Sequence, residues 1–430
     1  MTSATTHTAI ACTQCGCVCD DLTIQTDERG VSAFQPACPI ADRWYQAFRE
    51  TPNGVPVTIG GKPSPLNEGI IAAVDLLTRA RSPLIYGLSR SSTGGQRAAC
   101  RLADCLQAAI DTTASTCHAP SIMALQRVGE ETATLGEIKN RSDLIIYWGS
   151  NPLRNHPRHY SRVVDVAGQW VPRGRADRHV VVVDTVRTES AEIADTFIQI
   201  PAGSDFQILW ALRALLRGFP LTGSLPEGVS HDTLMMLAER LKSSRYGAVF
   251  FGLGLTDDIC GHHNVEALLQ LVNDVNQFTR CVARRMRVAG DVAGADSVLC
   301  WQTGYPFSVS FHRGYPQYNP GEFTASAMLQ RGEVDCLVLV GAESLDRMPI
   351  AAQNAISDIP VILLDYPHCS QQRQAAVRFN TAIYGIHRPG VAYRMDEVPV
   401  PLRAWQTSDL PSDEEILNSI TDRIESSSKV

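Results

Sequence analysis

The chain has no basic block. Its 38 Lys and Arg stand against 45 Asp and Glu, a formal charge of −7 over 430 residues. Phosphate backbones are held by clustered Lys and Arg, so nucleic acid is excluded as the main partner. No apolar run approaches the roughly 18–20 residues a membrane span requires, so no membrane association is expected. Met1 to Ile10 has neither a basic start nor an apolar stretch and does not read as a signal peptide. The expected location is the cytoplasm. An even cysteine count is missing too: there are 13, which with no export signal speaks against a disulfide framework.

What is present is core-forming material. With 44% apolar and 19% charged residues the chain can bury a sizeable interior. Its length suits about three domains or two large ones. After a cysteine-rich opening and a polar, Gly/Pro-rich stretch from Thr58 to Asn67, short apolar runs alternate with helical patterns. Strands are predicted at Pro83–Tyr86, Leu144–Trp148, Val180–Val183, Phe197–Ile200, Ala248–Phe251, Cys336–Val340 and Val361–Leu364. Helices are predicted at Asn67–Ala80 and Phe206–Arg217. Continuous Val/Ile-rich runs fit parallel strands buried on both faces, and the alternation fits α/β sheets with helices on both sides. Two stretches look alike. DLIIYWGSNPL from Asp143 and DCLVLVGAESL from Asp335 each lead, after roughly 30 residues, to a strand ending in Asp184 or Asp365. This reads as a weak internal duplication, with two crevices at strand carboxyl ends. The tail from Ser412 is polar and is expected to be a surface helix that frays.

ACTQCGCVCDDL contains Cys12, Cys15, Cys17 and Cys19, and Cys38 follows in QPACPIADRW. The set Cys12, Cys15, Cys19, Cys38 reads C-x2-C-x3-C-x18-C. Three close thiolates and a distant fourth suit an iron–sulfur cluster. Zinc also accepts four thiolates, but its ribbons usually pair two C-x2-C units and only one occurs here. Cys17 is spare, a substitute ligand or a packing residue. Asp20 and Asp21 read as a solvated turn. Cys100, Cys105, Cys260, Cys281, Cys300, Cys336 and Cys369 read as core thiols. Cys117-His118 lies between a polar loop and a helical stretch, where a helix dipole favours thiolate and the His can supply a proton. The basic run Arg154–Arg162, with His156 and His159, reads as a solvated helix face, and His262-His263 as a surface loop. Gly252-Leu253-Gly254 reads as a tight turn or a phosphate loop. Trp148, Trp301 and Tyr305 could wall a channel or pack in the core.

CTQCGCVCDDL, the later Cys38, STCHAPS, YWGSNP, VVVVDTVRTESAEIADTFIQIPAGSD, and WQTGYPFSVSFHRGYPQYNPGEF with RGEVD behind it together resemble the B subunit of formylmethanofuran dehydrogenase. That family belongs to the molybdenum/tungsten bis-pterin oxidoreductases. The resemblance runs from about Ala11 to Tyr393. It implies a molybdopterin-oxidoreductase-like α/β fold: an iron–sulfur domain at 1–57, two related doubly wound lobes at 58–240 and 241–400, with interleaving of the two allowed, and a tail at 401–430. It implies a 4Fe–4S cluster on Cys12, Cys15, Cys19 and Cys38. Cys117 would ligate molybdenum or tungsten, with His118 beside it and Arg287 facing the substrate. Gly149, Ser150, Asn151 and Pro152 would cradle a pterin pyrophosphate. Asp184 and Asp205 would recognise its guanine dinucleotide tail, and Gly341 and Glu343 would receive the second pterin. The implied reaction interconverts carbon dioxide and formate. The implied partners are the other three members of the same complex: an amidohydrolase-like A subunit, a C subunit, and a D subunit that completes the pterin site.

Two departures stand out. Pro39-Ile40-Ala41 follows Cys38 without the Lys many superfamily members place there. Asp291 stands where the family often has Asn, adding negative charge where phosphates would lie. The resemblance also covers the B subunit of a bacterial formyltransferase/hydrolase complex, in which the chain would be a scaffold without redox centres. A zinc-stabilised α/β binding module is the remaining alternative, and it leaves the TGYPF stretch unexplained.

Overall fold

The computed structural model describes residues 5–27, 30–50, 54–257, 260–288, 290–367 and 374–427, and all counts below are of these. Cys369 and Ala289 lie outside the described residues. The chain forms two units, Met1–Thr116 with Ala289–Val430, and Cys117–Val288. The division falls at 116/117 and 288/289 and not near 240. The reason is strand pairing: a strand late in the chain completes a sheet begun before residue 116.

In unit 1, β1 (Thr5–Ile10), β2 (Leu22–Asp27) and β3 (Gly30–Gln35) form an antiparallel sheet. The hairpin β4 (Val57–Ile59) and β5 (Lys62–Ser64) follows, then β6 (Pro83–Gly87) and β7 (Ala109–Thr112). Unit 2 contributes β8 (Leu144–Trp148), β9 (His179–Asp184), β10 (Thr196–Gln199), β11 (Tyr246–Phe251) and β12 (Arg280–Arg285). The chain returns to unit 1 with β13 (Val309–Ser310), β14 (Gln317–Tyr318), β15 (Cys336–Val340), β16 (Val361–Asp365) and β17 (Val377–Asn380), and ends with the hairpin β18 (Gly390–Tyr393) and β19 (Pro399–Leu402).

Unit 2 is built on a wholly parallel sheet of order β10-β9-β8-β11-β12. The chain winds outward from β8 through β9 to β10, then restarts at β11 on the other side of β8. That reversal between β8 and β11 is a topological switch point, where open α/β sheets bind ligands. Unit 1 repeats the device in a nine-stranded sheet of order β14-β13-β7-β6-β15-β16-β17-β4-β5. Its switch point lies between β6 and β15, which pair in parallel.

Predicted and observed strands agree to within about two residues, because both faces of each are covered and the apolar run is continuous. β12 is not among the predicted strands. Its sequence RCVARR looks basic, yet Arg284 and Arg285 are buried, Arg284 donating to Ala133 O and Arg285 pairing with Glu130 at 3.0 Å. The predicted helices are seen at Leu66–Arg79 and Asp205–Leu216.

The polar tail is a correction. Asp413–Ser427 is a helix whose Ile416, Leu417, Ile420 and Ile424 are buried in the unit 1 core. Its average polarity hides one apolar face. The N-terminal segment likewise belongs to a larger core: Ala11 and Val18 pack with Tyr384, Ala392, Val400 and Leu402. Of the thiols expected in the core, Cys260 and Cys300 are exposed and Cys105 is half-buried. His262 and His263 start the helix Gly261–Val275 and are not in a loop. Trp301 is exposed, whereas Trp148 is buried. No helix among the described residues is long and apolar enough to cross a membrane.

Candidate functional site

The cysteine loop of unit 1 closes on itself. Cys12 N donates to Cys19 O at 2.7 Å and Val18 N to Cys15 O at 3.1 Å. Cys12, Cys15, Cys17 and Cys19 are buried and Cys38 is half-buried. Burial pushes the Cys12 thiol well above its ordinary range, and the nearby sulfurs of Cys15, Cys19 and Cys38 push it the same way. The Cys17 thiol hydrogen-bonds with Cys15 and Cys19; this holds Cys15 below the ordinary thiol value and raises Cys17. Cys38 precedes the helix Pro39–Glu50, and its sulfur accepts from Ala41 N at 3.5 Å. Asp20 and Asp21 are exposed, as expected. Among the described residues no three His, Cys, Asp or Glu side chains converge tightly enough to hold a metal ion as they stand. What the segment offers is donor chemistry: Cys12 has the sulfurs of Cys15, Cys19 and Cys38 near it, with an amide donor beside Cys38, and thiols of that kind suit a thiolate-bound cluster.

At the unit 1 switch point Gly87 ends β6 with φ +114°, and a Cβ there would lie 2.2 Å from Val340 O. Only glycine allows that approach. Three residues on, Arg90 is ion-paired with Glu343, which follows β15. Its Nη1 also donates to Thr13 O and Gln14 Oε1, both at 3.1 Å, in the cysteine loop. Burial works against the Arg90 charge, and the Glu343 carboxylate outweighs it, so the guanidinium stays ionised. Tyr366 donates to Arg90 O at 2.5 Å. Glu343, expected to meet a pterin, is thus tied to Arg90, while Gly341 carries φ +82° beside it. Arg90 belongs to no local motif; its partner is 253 residues away.

At the unit 2 switch point Gly149 follows β8 with φ +54°, and a Cβ would lie 2.7 Å from Leu255 N. Gly254 N donates to Gly149 O at 3.0 Å, and Gly252 N to Trp148 O at 3.1 Å. Gly252-Leu253-Gly254 is therefore a tight turn locked to the Gly149 loop. Ser150 is buried, and Asn151 is held by Ser190 Oγ at 2.7 Å and by Glu189. Pro152 starts a short helical turn. Thr188 Oγ1, in the neighbouring loop, is buried with no hydrogen-bond partner, an orphan that a bound polar group would satisfy. Asp184 sits half-buried at the end of β9, its carboxyl raised by burial and bonded to Thr185 N at 2.7 Å. Asp205 is buried, and its Oδ1 accepts the Trp148 indole N–H at 2.7 Å.

Cys117, His118 and Arg287 are anchored to this same sheet edge. Cys117 O accepts from Thr256 Oγ1 at 3.5 Å, on the turn after β11. His118 is buried at the head of the helix Ala119–Val128, its carbonyl accepting from Ser121 Oγ at 2.7 Å. Met286 N donates to Phe251 O at 2.8 Å, and the next residue is Arg287, also buried. The Arg287 carbonyl accepts from His156 Nε2 at 2.6 Å. His156 and His159 are about 1% exposed. This corrects the solvated face expected from the surrounding arginines: the run bends through Pro152 and Pro157 and turns both imidazoles inward. Asp291 has partners of its own. Its carboxyl caps the helix Val292–Thr303 through Gly294 N, and takes Tyr393 N at 2.6 Å and Gln96 Nε2 at 3.1 Å. Its oxygens are engaged by these three donors inside unit 1.

No family model matches the chain. It is 39% identical over 402 residues, 92% of each chain, to the B subunit of tungsten-containing formylmethanofuran dehydrogenase 2 from Methanocaldococcus jannaschii. It is 27% identical over 278 residues, 64% of this chain and 72% of the relative, to the B subunit of the formyltransferase/hydrolase complex Fhc from Methylorubrum extorquens. Among solved structures it is similar to the formyltransferase/hydrolase complex FhcABCD of Methylorubrum extorquens with methylofuran, with a TM-score of 0.73 at 22% identity, covering 87% of this chain and all of the other.

Proposed function

The chain belongs to the family of formylmethanofuran dehydrogenase B subunits, and from that premise we propose that it is the redox subunit of a formylmethanofuran-type complex, interconverting carbon dioxide and formate. The observation that carries this reading is the closed N-terminal loop, in which Cys12 has the sulfurs of Cys15 and Cys19 near it and that of Cys38 from the next segment. Cys12, Cys15, Cys19 and Cys38 would hold a 4Fe–4S cluster. Cys117 would ligate molybdenum or tungsten, to which a soft thiolate is suited. Gly149, Ser150, Asn151, Pro152, Asp184 and Asp205 would hold one pterin guanine dinucleotide, and Gly341 and Glu343 the other. Once bound, these groups supply the two-electron couple.

The chain's own residues bind and orient. The Arg287 guanidinium pairs with the formate carboxylate, and its burial makes that charge count for more than it would in water. His118 takes the proton as formate becomes carbon dioxide, one proton and two electrons. In the reverse direction it returns the proton. The formate then meets a furan-linked amine on the amidohydrolase-like A subunit, and the C and D subunits complete the assembly in the cytoplasm.

A second reading is favoured by the likeness to the Fhc relative: a redox-inactive scaffold in a formyltransferase/hydrolase complex, its thiols structural. Metal and pterin analysis of the anaerobically isolated complex separates the two. About four irons and one molybdenum or tungsten per chain are expected. Absence of both would leave the scaffold.

A further inference from the structure

We infer that His156 is a positioning residue for Arg287, fixing the main chain from which the guanidinium reaches the substrate carboxylate. This rests on the reading above that Arg287 binds formate. The ladder of β12 ends at Arg285, and Met286 is pinned to Phe251 O. Beyond that point Arg287 has left the sheet. Its carbonyl is held by His156 Nε2 at 2.6 Å, a short hydrogen bond between neutral groups. A carbonyl can only accept, so Nε2 carries the hydrogen and Nδ1 is the bare nitrogen. Nδ1 is buried with no partner. The imidazole therefore gives up water on both sides and keeps one hydrogen bond, to Arg287. Burial also pushes its pKa down to about 4, so it stays neutral.

Nothing in the local helix requires a histidine there. His156 is at the break between two short turns, Pro152–Asn155 and Pro157–His159, and its own N donates to Pro152 O at 2.8 Å. That contact would survive in any non-proline residue. What the side chain supplies is a donor that reaches the Arg287 carbonyl. A misplaced charge costs binding of an oriented anion far more than it costs folding.

The test uses the assembled, metal-loaded complex, with formate as substrate and azide, a three-atom anion, as inhibitor. His156→Phe keeps the ring volume and loses the donor. KM for formate and the azide inhibition constant are both expected to rise about tenfold or more, with kcat per metal changing less. His156→Gln restores a donor and is expected to recover most of the loss. In Arg287→Ala, adding His156→Phe is expected to change neither constant further, because the histidine acts through the arginine. Constants within about twofold of the parent in fully loaded His156→Phe would overturn the inference. If His156→Phe fails to load metal, His156→Gln decides: full loading with a KM as poor as that of Arg287→Ala would overturn it. Unchanged constants in Arg287→Ala would instead sink the underlying reading of Arg287.

Discussion

At the head of β8, Asp143 accepts hydrogen bonds from the main-chain N–H groups of Arg245 and Tyr246, which lead into the neighbouring strand β11. At the head of β15, Asp335 does the same for Arg81 and Ser82, which lead into β6. At the far ends, Gly149 N donates to Val183 O and Gly341 N to Leu364 O, both at 2.9 Å. Gly252 N reaches Trp148 O, and Leu88 N reaches Val340 O, both at 3.1 Å. The sequence likeness between the two stretches thus marks equivalent places in two sheets. The loops that follow differ. In unit 2 the switch point is finished by glycine backbones, with Cys117 and Arg287 tied to the same edge. In unit 1 it is closed by the Arg90–Glu343 pair and held to the cysteine loop. The sheets hold position, and the loops at their carboxyl ends carry the difference in chemistry.

The two units should part most clearly at their thiols. Cys117→Ser should reduce viologen-linked formate oxidation by at least about a thousandfold while iron content stays full. Cys12→Ala should lose the iron; equal effects of the two on iron would merge roles assigned to different units. Next come the buried ion pairs. Arg285→Met leaves Glu130 buried and uncompensated in unit 2 and should cost about 3–5 kcal/mol in urea unfolding. Arg90→Met should cost less, about 2 kcal/mol, because Glu343 keeps a third of its side-chain surface exposed.

Acid should then separate the units. His156 in unit 2 has its pKa pushed by burial from 6.5 to about 4. Its contribution is full above the ordinary histidine value and is lost as pH falls toward 4, about 3 kcal/mol in all. His387 in unit 1 is pushed down to about 4 in the same way. There, however, burial raises Asp111 to about 6 and Asp291 to about 8, and those carboxyls regain stability as pH falls through these values. Hydrogen exchange from pH 7 to 5 should therefore lose protection first in unit 2. The smallest effect is the most direct test of equivalence. Asp143→Ala and Asp335→Ala should each cost about 1–2 kcal/mol and by similar amounts; a large disparity would deny that the two carboxylates do the same work.

Much of the fold is legible in the sequence because strands covered on both faces write themselves as apolar runs. β12 is not, since Arg284 and Arg285 find their partners in the 130–133 segment, about 150 residues away. The helix Asp413–Ser427 is misread from composition, although its spacing of Ile416, Ile420 and Ile424 holds the answer. For the candidate site, the thiol spacing stands out as a local pattern and Cys117-His118 as a weak one. Arg90 and His156 are not, because each acquires meaning only through a residue far along the chain. Two prolines flanking His156 are the one available hint that the basic run does not continue as a regular exposed helix.

Unit 2 lies wholly inside the chain of unit 1, and that has a consequence during synthesis. A ribosome delivers β6 about 250 residues before its partner β15, a delay of roughly ten to fifty seconds at ordinary translation speed. Over that interval unit 2 is complete while the cysteine loop still lacks Glu343, Tyr384 and the closing hairpin. The sulfurs therefore emerge early and are covered late, which leaves an interval in synthesis when they are still open to an incoming group.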